Sequence, residues 1–182
     1  MEMANGLGTA VLGADDRVRA TAAVKAALRV HLAEEDGRIG DVAEAALGLA
    51  EQFTGRVLLA RALTETVAAD GCWRRLAARP VRGIAGVEAG GAVLPVESFA
   101  VDIDGGGTGW VRVAAGNVSR ATVRFTAGMA EGWDALAPPL REGAVLLAAH
   151  LFREGEGARV PAAVAALWRP YRTLSLRWER HG

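Results

Sequence analysis

One stretch constrains this chain more than any other: "GAVLLAAHLF", from Gly143 to Phe152. Pro138 and Pro139 precede it, and proline suits a first helical turn. "GEG" at positions 155 to 157 breaks it. The helix so predicted is apolar on nearly every side, with His150 as the interruption. A helix of that kind needs cover on more than one face. The chain must therefore supply other helices, and with 182 residues in all, part of the cover is expected from another subunit.

The neighbours are legible on both sides of the chain. Thr21 is the expected N-cap of a short helix from Ala22 to Leu28. Glu35 and Asp36 open a longer helix, with acids at its positive end. Ile39, Val42, Ala43, Ala46, Ala50 and Phe53 then recur at spacings of three and four and form one stripe. Gly55 is placed to end it. Pro161 starts a last helix with Val160, Val164, Leu167, Trp168 and Tyr171 on one side. Pro170 lacks an amide donor and biases Arg169 toward an extended conformation, so this helix is expected to stop near Trp168. Past it the period becomes two: Leu174, Leu176 and Trp178 alternate with Ser175, Arg177 and Glu179.

Between the helices the texture is that of short strands. "GVEAGGAV" (Gly86 to Val93) reads as a hairpin around Gly90 and Gly91. Phe99, Val101 and Ile103 alternate with polar or small residues, and "DGGGTG" (Asp104 to Gly109) turns the chain into "WVRV". The expected fold class is α+β. A small core of about four helices comes from residues 21–54 and 137–168, with an inserted, mostly antiparallel β unit at 55–133. Residues 1–20 read as an N-terminal extension and 169–182 as an extended C-terminal tail used for assembly.

Charge and chemistry narrow the function classes. Twenty-one basic and twenty-one acidic residues cancel, which argues against a protein that coats nucleic acid. Cys72 is the sole cysteine, so no internal disulfide forms, and it reads as a buried or neutral thiol. The N-terminus has no secretory pattern, and no apolar run is long enough to span a bilayer, so no membrane role is expected.

"DIDGGGTG" tests as a calcium loop, but its twelfth position is Val113 rather than glutamate. It tests as a phosphate loop, but no lysine follows the glycines. A glycine-rich turn is the better reading. His150 reads as a hydrogen-bonded core or interface residue, and no serine sits in a GxSxG elbow. No catalytic residue, metal site or cofactor is expected. "WRRLAARPVR" gathers Trp73, Arg74, Arg75, Arg79 and Arg82. It is a candidate DNA-facing stretch, and it carries the alternative reading of a nucleic-acid-binding module. A solvated loop or strand edge is the simpler account of it.

The order of the pieces is more specific than any one of them. Lys25, Leu28, Arg29 and Val30 form a Lys-x-x-Leu-Arg-Val start, and the acidic pair Glu35-Asp36 precedes the long helix. Thr54, Gly55 and Arg56 form its exit. Thr126-Ala127-Gly128 is followed by the helix led by Pro138 and Pro139, and Leu167, Pro170, Tyr171 and Arg172 close the series. Over roughly Thr21 to Leu176 this resembles the head–tail connector (adaptor) family of long-tailed bacteriophages, also found in gene transfer agents. The first twenty residues do not match. Where the family often places an aromatic and an acid before Thr-Gly-Arg, Phe53 and Glu51 are separated by Gln52.

The resemblance implies a homo-oligomeric ring, a dodecamer, under the portal protein. The ring would extend the DNA channel, let DNA pass without sequence-specific binding, and present a surface to the head–tail stopper or tail protein. It implies no catalysis and no cofactor, assembly from protein made in the bacterial cytoplasm, and a place in the neck of a virion or gene transfer agent particle. The expected portal or subunit interface is Arg169, Tyr171, Arg172, Leu174, Leu176, Arg177 and Trp178, since an extended apolar face flanked by arginines has little use in a free monomer.

Overall fold

The apolar run lies in α3 (Pro138–Glu154). In the computed structural model, which describes residues 7–116, 118–155 and 159–173, three helices of the same chain pack on it: α1 (Ala14–Leu28), α2 (Asp36–Thr54) and α4 (Ala162–Trp168). Leu140, Ala144, Leu147 and Ala148 are buried, while Leu146 stays 39% exposed. The cover expected from a second subunit is thus largely supplied within the chain.

The helix α1 begins eight residues earlier than the sequence predicts. Thr21 is buried inside it rather than capping it, and Ala10 and Leu12 join the helical core. Residues 1–20 are therefore not all extension. The physical reason lies outside the segment. Asp16 accepts a hydrogen bond from the Trp133 amide at 2.9 Å, and Arg17 pairs with Asp41 at 2.6 Å and Glu44 at 2.8 Å. Asp15 and Asp16 also sit in the first turn, where the helix dipole favours acids. The stripe of α2 behaves as predicted: Ile39, Ala43, Ala46 and Ala50 are buried, Val42 and Phe53 pack beside them, and Gly55 closes the helix at φ 68°.

The β unit forms two antiparallel sheets. One contains β1 (Arg61–Ala68), β3 (Val81–Ala89), β4 (Ala92–Val93) and β7 (Arg120–Ala127) in the order β1-β7-β3-β4. The other contains β2 (Trp73–Arg75), β5 (Phe99–Ile103) and β6 (Gly109–Val113) in the order β2-β6-β5. Val57, Leu63, Val87, Val111, Val123 and Phe125 form a second core, separate from the helical one. Gly90 and Gly91 both take positive φ, as the predicted tight hairpin requires. The "DGGGTG" turn is built on Asp104, whose Oδ1 accepts the Gly106 amide at 2.9 Å and the Thr108 amide at 2.8 Å. The Thr108 amide holds that carboxyl below the usual carboxylate range.

One buried ion pair ties the two cores together. Glu51, near the end of α2, has no solvent exposure. Arg61, at the start of β1, grips it with both terminal nitrogens, at 2.6 Å and 2.8 Å. The amides of Leu58 and Gly8 donate to the same carboxylate at 3.0 Å and 3.1 Å. Removing one member of a buried pair leaves the other uncompensated. Glu51→Ala should therefore lower the unfolding free energy by about 3–5 kcal/mol, a loss that urea denaturation followed by circular dichroism will read.

Candidate assembly surfaces

The C-terminal corner is organised around Trp168. Its indole is fully buried, with Nε1 donating to the Leu140 carbonyl at 3.3 Å. It meets the Phe53 ring at 5.9 Å between centroids. Gly143 makes room for it: a Cβ there would lie 2.2 Å from Nε1. The helix α4 ends at Trp168 as predicted, but Arg169 is not extended. It is helical (φ −53°, ψ −41°), and Arg169–Tyr171 forms a 3-10 turn in which the Arg172 amide donates to the Arg169 carbonyl at 3.2 Å. Pro170 fits there because it falls in the first positions of the turn, where its missing N–H has no partner to lose.

Of the residues expected at a portal or subunit interface, Arg169 and Arg172 are exposed and Tyr171 is half-buried. The Arg172 guanidinium lies 5.6 Å from the centroid of the Phe53 ring. The Thr173 amide donates to the Thr54 carbonyl at 2.8 Å, and Arg56 Nε donates to Thr173 Oγ1 at 3.0 Å. The chain is thus anchored to the end of α2 as far as Thr173. Leu174, Leu176, Arg177 and Trp178 lie outside the described residues.

The basic stretch does not act as one patch. Arg74 is ion-paired with Asp70. Arg82 is paired with Glu131 and also donates to the carbonyls of Gly128 at 2.7 Å and Met129 at 3.1 Å. Arg75 is exposed and Arg79 half-buried. Burial lowers the pKa of Arg79, and the charges of Arg75 and Arg56 lower it further. Sequence reasoning missed Arg56, Trp110 and Arg112. The alternation in "GWVRV" marks Trp110 and Arg112 as sharing one sheet face, but not what they face.

Cys72 is exposed rather than buried, because it lies on the turn where its amide donates to Asp70 Oδ1 at 3.1 Å. His150 is half-buried on α3. A cleft of about 770 Å³ beside α1 is lined by Arg17, Lys25, His31 and Asp36, among others. Its charged groups are largely engaged: Arg17 with Asp41 and Glu44, Lys25 with Asp36. Among the described residues, no three His, Cys, Asp or Glu side chains are grouped to hold a metal ion. No helix there is long and apolar enough to cross a membrane.

No protein-family model and no curated protein matches this sequence. Solved structures do. A chain in the neck of an empty gene transfer agent particle, computed with C6 symmetry, is 24% identical, with a TM-score of 0.70 and coverage of 98% of both chains. The fold is shared with a gene transfer agent neck chain. A second match lies in the virion of a native gene transfer agent particle: 21% identity, TM-score 0.68, and coverage of 96% of this chain and 94% of that one. A third lies in a native neck computed with C12 symmetry: 22% identity, TM-score 0.67, and coverage of 90% and 95%. The shared fold spans more of the chain than the sequence motifs from Thr21 to Leu176, so it takes in both the helical and the β cores.

The corner makes a direct demand on packing. Gly143→Ala drives a methyl group into a ring that has no free space to retreat into. It should destabilise the protein by about 1–3 kcal/mol, read as a lowered midpoint in thermal or urea unfolding.

Proposed function

We propose that this protein is a structural head–tail adaptor of a tailed phage or gene transfer agent particle. In this reading identical subunits, twelve of them, form a ring under the portal, extend the DNA channel and join the head to the stopper or tail protein. The role is assembly rather than catalysis, and the place of action is the particle neck. One observation carries the reading: near-complete coverage by the fold of a chain from a gene transfer agent neck. The C6 and C12 symmetries of the neck structures support a ring. The ordered sequence motifs support it independently, because they come from local residue patterns rather than from the fold.

The assembly surface in this reading starts at Arg169, Tyr171 and Arg172 and continues through Leu174, Leu176, Arg177 and Trp178. The anchoring of Thr173 to Thr54 and Arg56 supports a division of labour. Residues up to Thr173 close the fold, and in this reading those after it serve a partner, the portal being the one proposed.

Two outcomes test this. Purified protein mixed with its portal should co-sediment and show a twelve-fold ring by electron microscopy; a protein that stays monomeric and never co-sediments overturns the adaptor role. A chain ending at Thr173 should melt within about 2 °C of the full chain yet fail to attach to portal. Attachment that survives this truncation removes the tail from the interface.

A further inference from the structure

The three-stranded sheet has one face lined by tryptophan and arginine. The register of β2 and β6 sets Trp73 opposite Arg112, and Arg75 opposite Trp110. Residues directly opposite one another share a face, so the four form a checkerboard. Gly109, Val111 and Val113 of the same strand are buried on the other side. Trp73 is 44% exposed, Arg75 and Arg112 are exposed, and the Arg112 guanidinium lies 5.3 Å from the Trp73 ring centroid.

The positive charge continues past the sheet. The Val57 amide donates to the Arg79 carbonyl at 2.7 Å, which brings Arg56 beside Arg79, and both arginines are half-buried. Arg75 and Arg56 are each close enough to Arg79 for their charges to act on it. None of Arg56, Arg75, Arg79 and Arg112 forms an ion pair with a carboxylate among the described residues. Acids stand beside the band without forming ion pairs with it, and Asp102 shares the sheet face. Asp102 pairs across from Trp110, and Glu97 shares a small cleft with Arg112. Asp104 and Glu65 act on Arg79 and Arg75 from outside ion-pair distance.

We propose that Arg112, Arg75, Arg79 and Arg56 form a band that takes the phosphate backbone of double-stranded DNA, with Trp73 and Trp110 as its apolar floor. Gathering like charges is unfavourable without an anionic ligand, and the guanidinium fork matches a phosphate group. A duplex presents one negative charge per roughly 1.7 Å of axis. A row of arginines spread over two strands and a loop can therefore find phosphates along its whole length. The contact carries no sequence readout, since phosphate contacts position rather than specify. The inference differs from the contiguous stretch Arg74 to Arg82, because Arg74 and Arg82 are held in internal pairs. It does not rest on the neck reading: duplex binding by the isolated protein and ring formation on portal fail separately.

Fluorescence anisotropy with a labelled 30-bp duplex tests it. Four phosphate contacts give a slope of about −3.6 in log K against log salt, so affinity should fall roughly 100-fold between 50 and 200 mM salt. The double variant Arg75→Gln, Arg112→Gln should lose about two units of that slope, while Arg75→Lys, Arg112→Lys keeps it. Arg153→Gln, Arg159→Gln removes the same charge elsewhere and should leave the slope unchanged. Three results overturn the proposal: no duplex binding at 50 mM salt, an unchanged slope in the Arg75→Gln, Arg112→Gln variant, or polyglutamate competing as well as unlabelled duplex. The last would assign the band to an acidic protein surface instead.

Discussion

A carboxylate with no solvent exposure is tolerable only when its oxygens are filled by donors. Glu51 meets that condition with donors from three parts of the chain: the amide of Gly8, the amide of Leu58 and the fork of Arg61. One side chain at the end of α2 therefore sets where the N-terminal segment lies, how the chain leaves the helix, and where the first strand starts. Gly48 serves the same end, since a Cβ there would lie 2.6 Å from the Gly8 carbonyl oxygen. The helical and β clusters of buried apolar residues have no member in common, and this polar junction is one of the ties between them.

The C-terminal side of the molecule converges on the same place. Trp168 fills the notch above Gly143 and touches Phe53, the penultimate residue of α2. Thr173 then returns to Thr54 and Arg56. The end of α2 thus receives the N-terminal segment, the β unit and the last described residues of the chain. A partner that pulls on residues beyond Thr173 pulls on the joint between the two cores. In the proposed reading, load on an assembly subunit enters where both cores are tied.

The overall charge of zero conceals a local clustering of arginines. Carboxylates answer some arginines in each core: Arg17 with Asp41 and Glu44, Arg19 with Asp134 and Arg38 with Glu35 among the helices, Arg74 with Asp70 and Arg124 with Glu88 in the β unit. Around β2 the unpaired arginines stand together, with Arg75 and Arg56 both near enough for their charges to act on Arg79. Net charge governs bulk behaviour such as non-specific association, while a passing polyanion feels the local field within about a Debye length. In the proposed reading, a subunit neutral as a whole meets DNA weakly through its basic band and with strong dependence on salt.

How much of this was legible in the residue order follows from the range of each interaction. The stripe of α2, its Gly55 terminator, the Gly90-Gly91 hairpin, the Asp104 turn and the stop of α4 at Trp168 are all decided within about ten residues. The sequence therefore determined them by itself, and it determined the α+β class with them. The start of α1 was not legible: its apolar positions are largely alanine, and the contacts that hold it, to Trp133, Asp41 and Glu44, come from distant positions. The turn at Arg169 departs from expectation because the local bias of the residue before proline lost to a compact turn anchored on α2. Half of the proposed basic band was legible, since Arg75 and Arg79 lie in the Trp73 to Arg82 stretch, but Arg56 and Arg112 were out of reach. Arg56 leaves a helix, Arg75 and Arg79 flank a strand exit, and Arg112 lies in another strand. Their meeting depends on the register of β2 with β6 and on one hydrogen bond from Val57 to Arg79. Periodicity tells which face a residue takes, but only the tertiary structure decides which other faces stand beside it, because the choice is made by pairing between segments that sequence distance does not order.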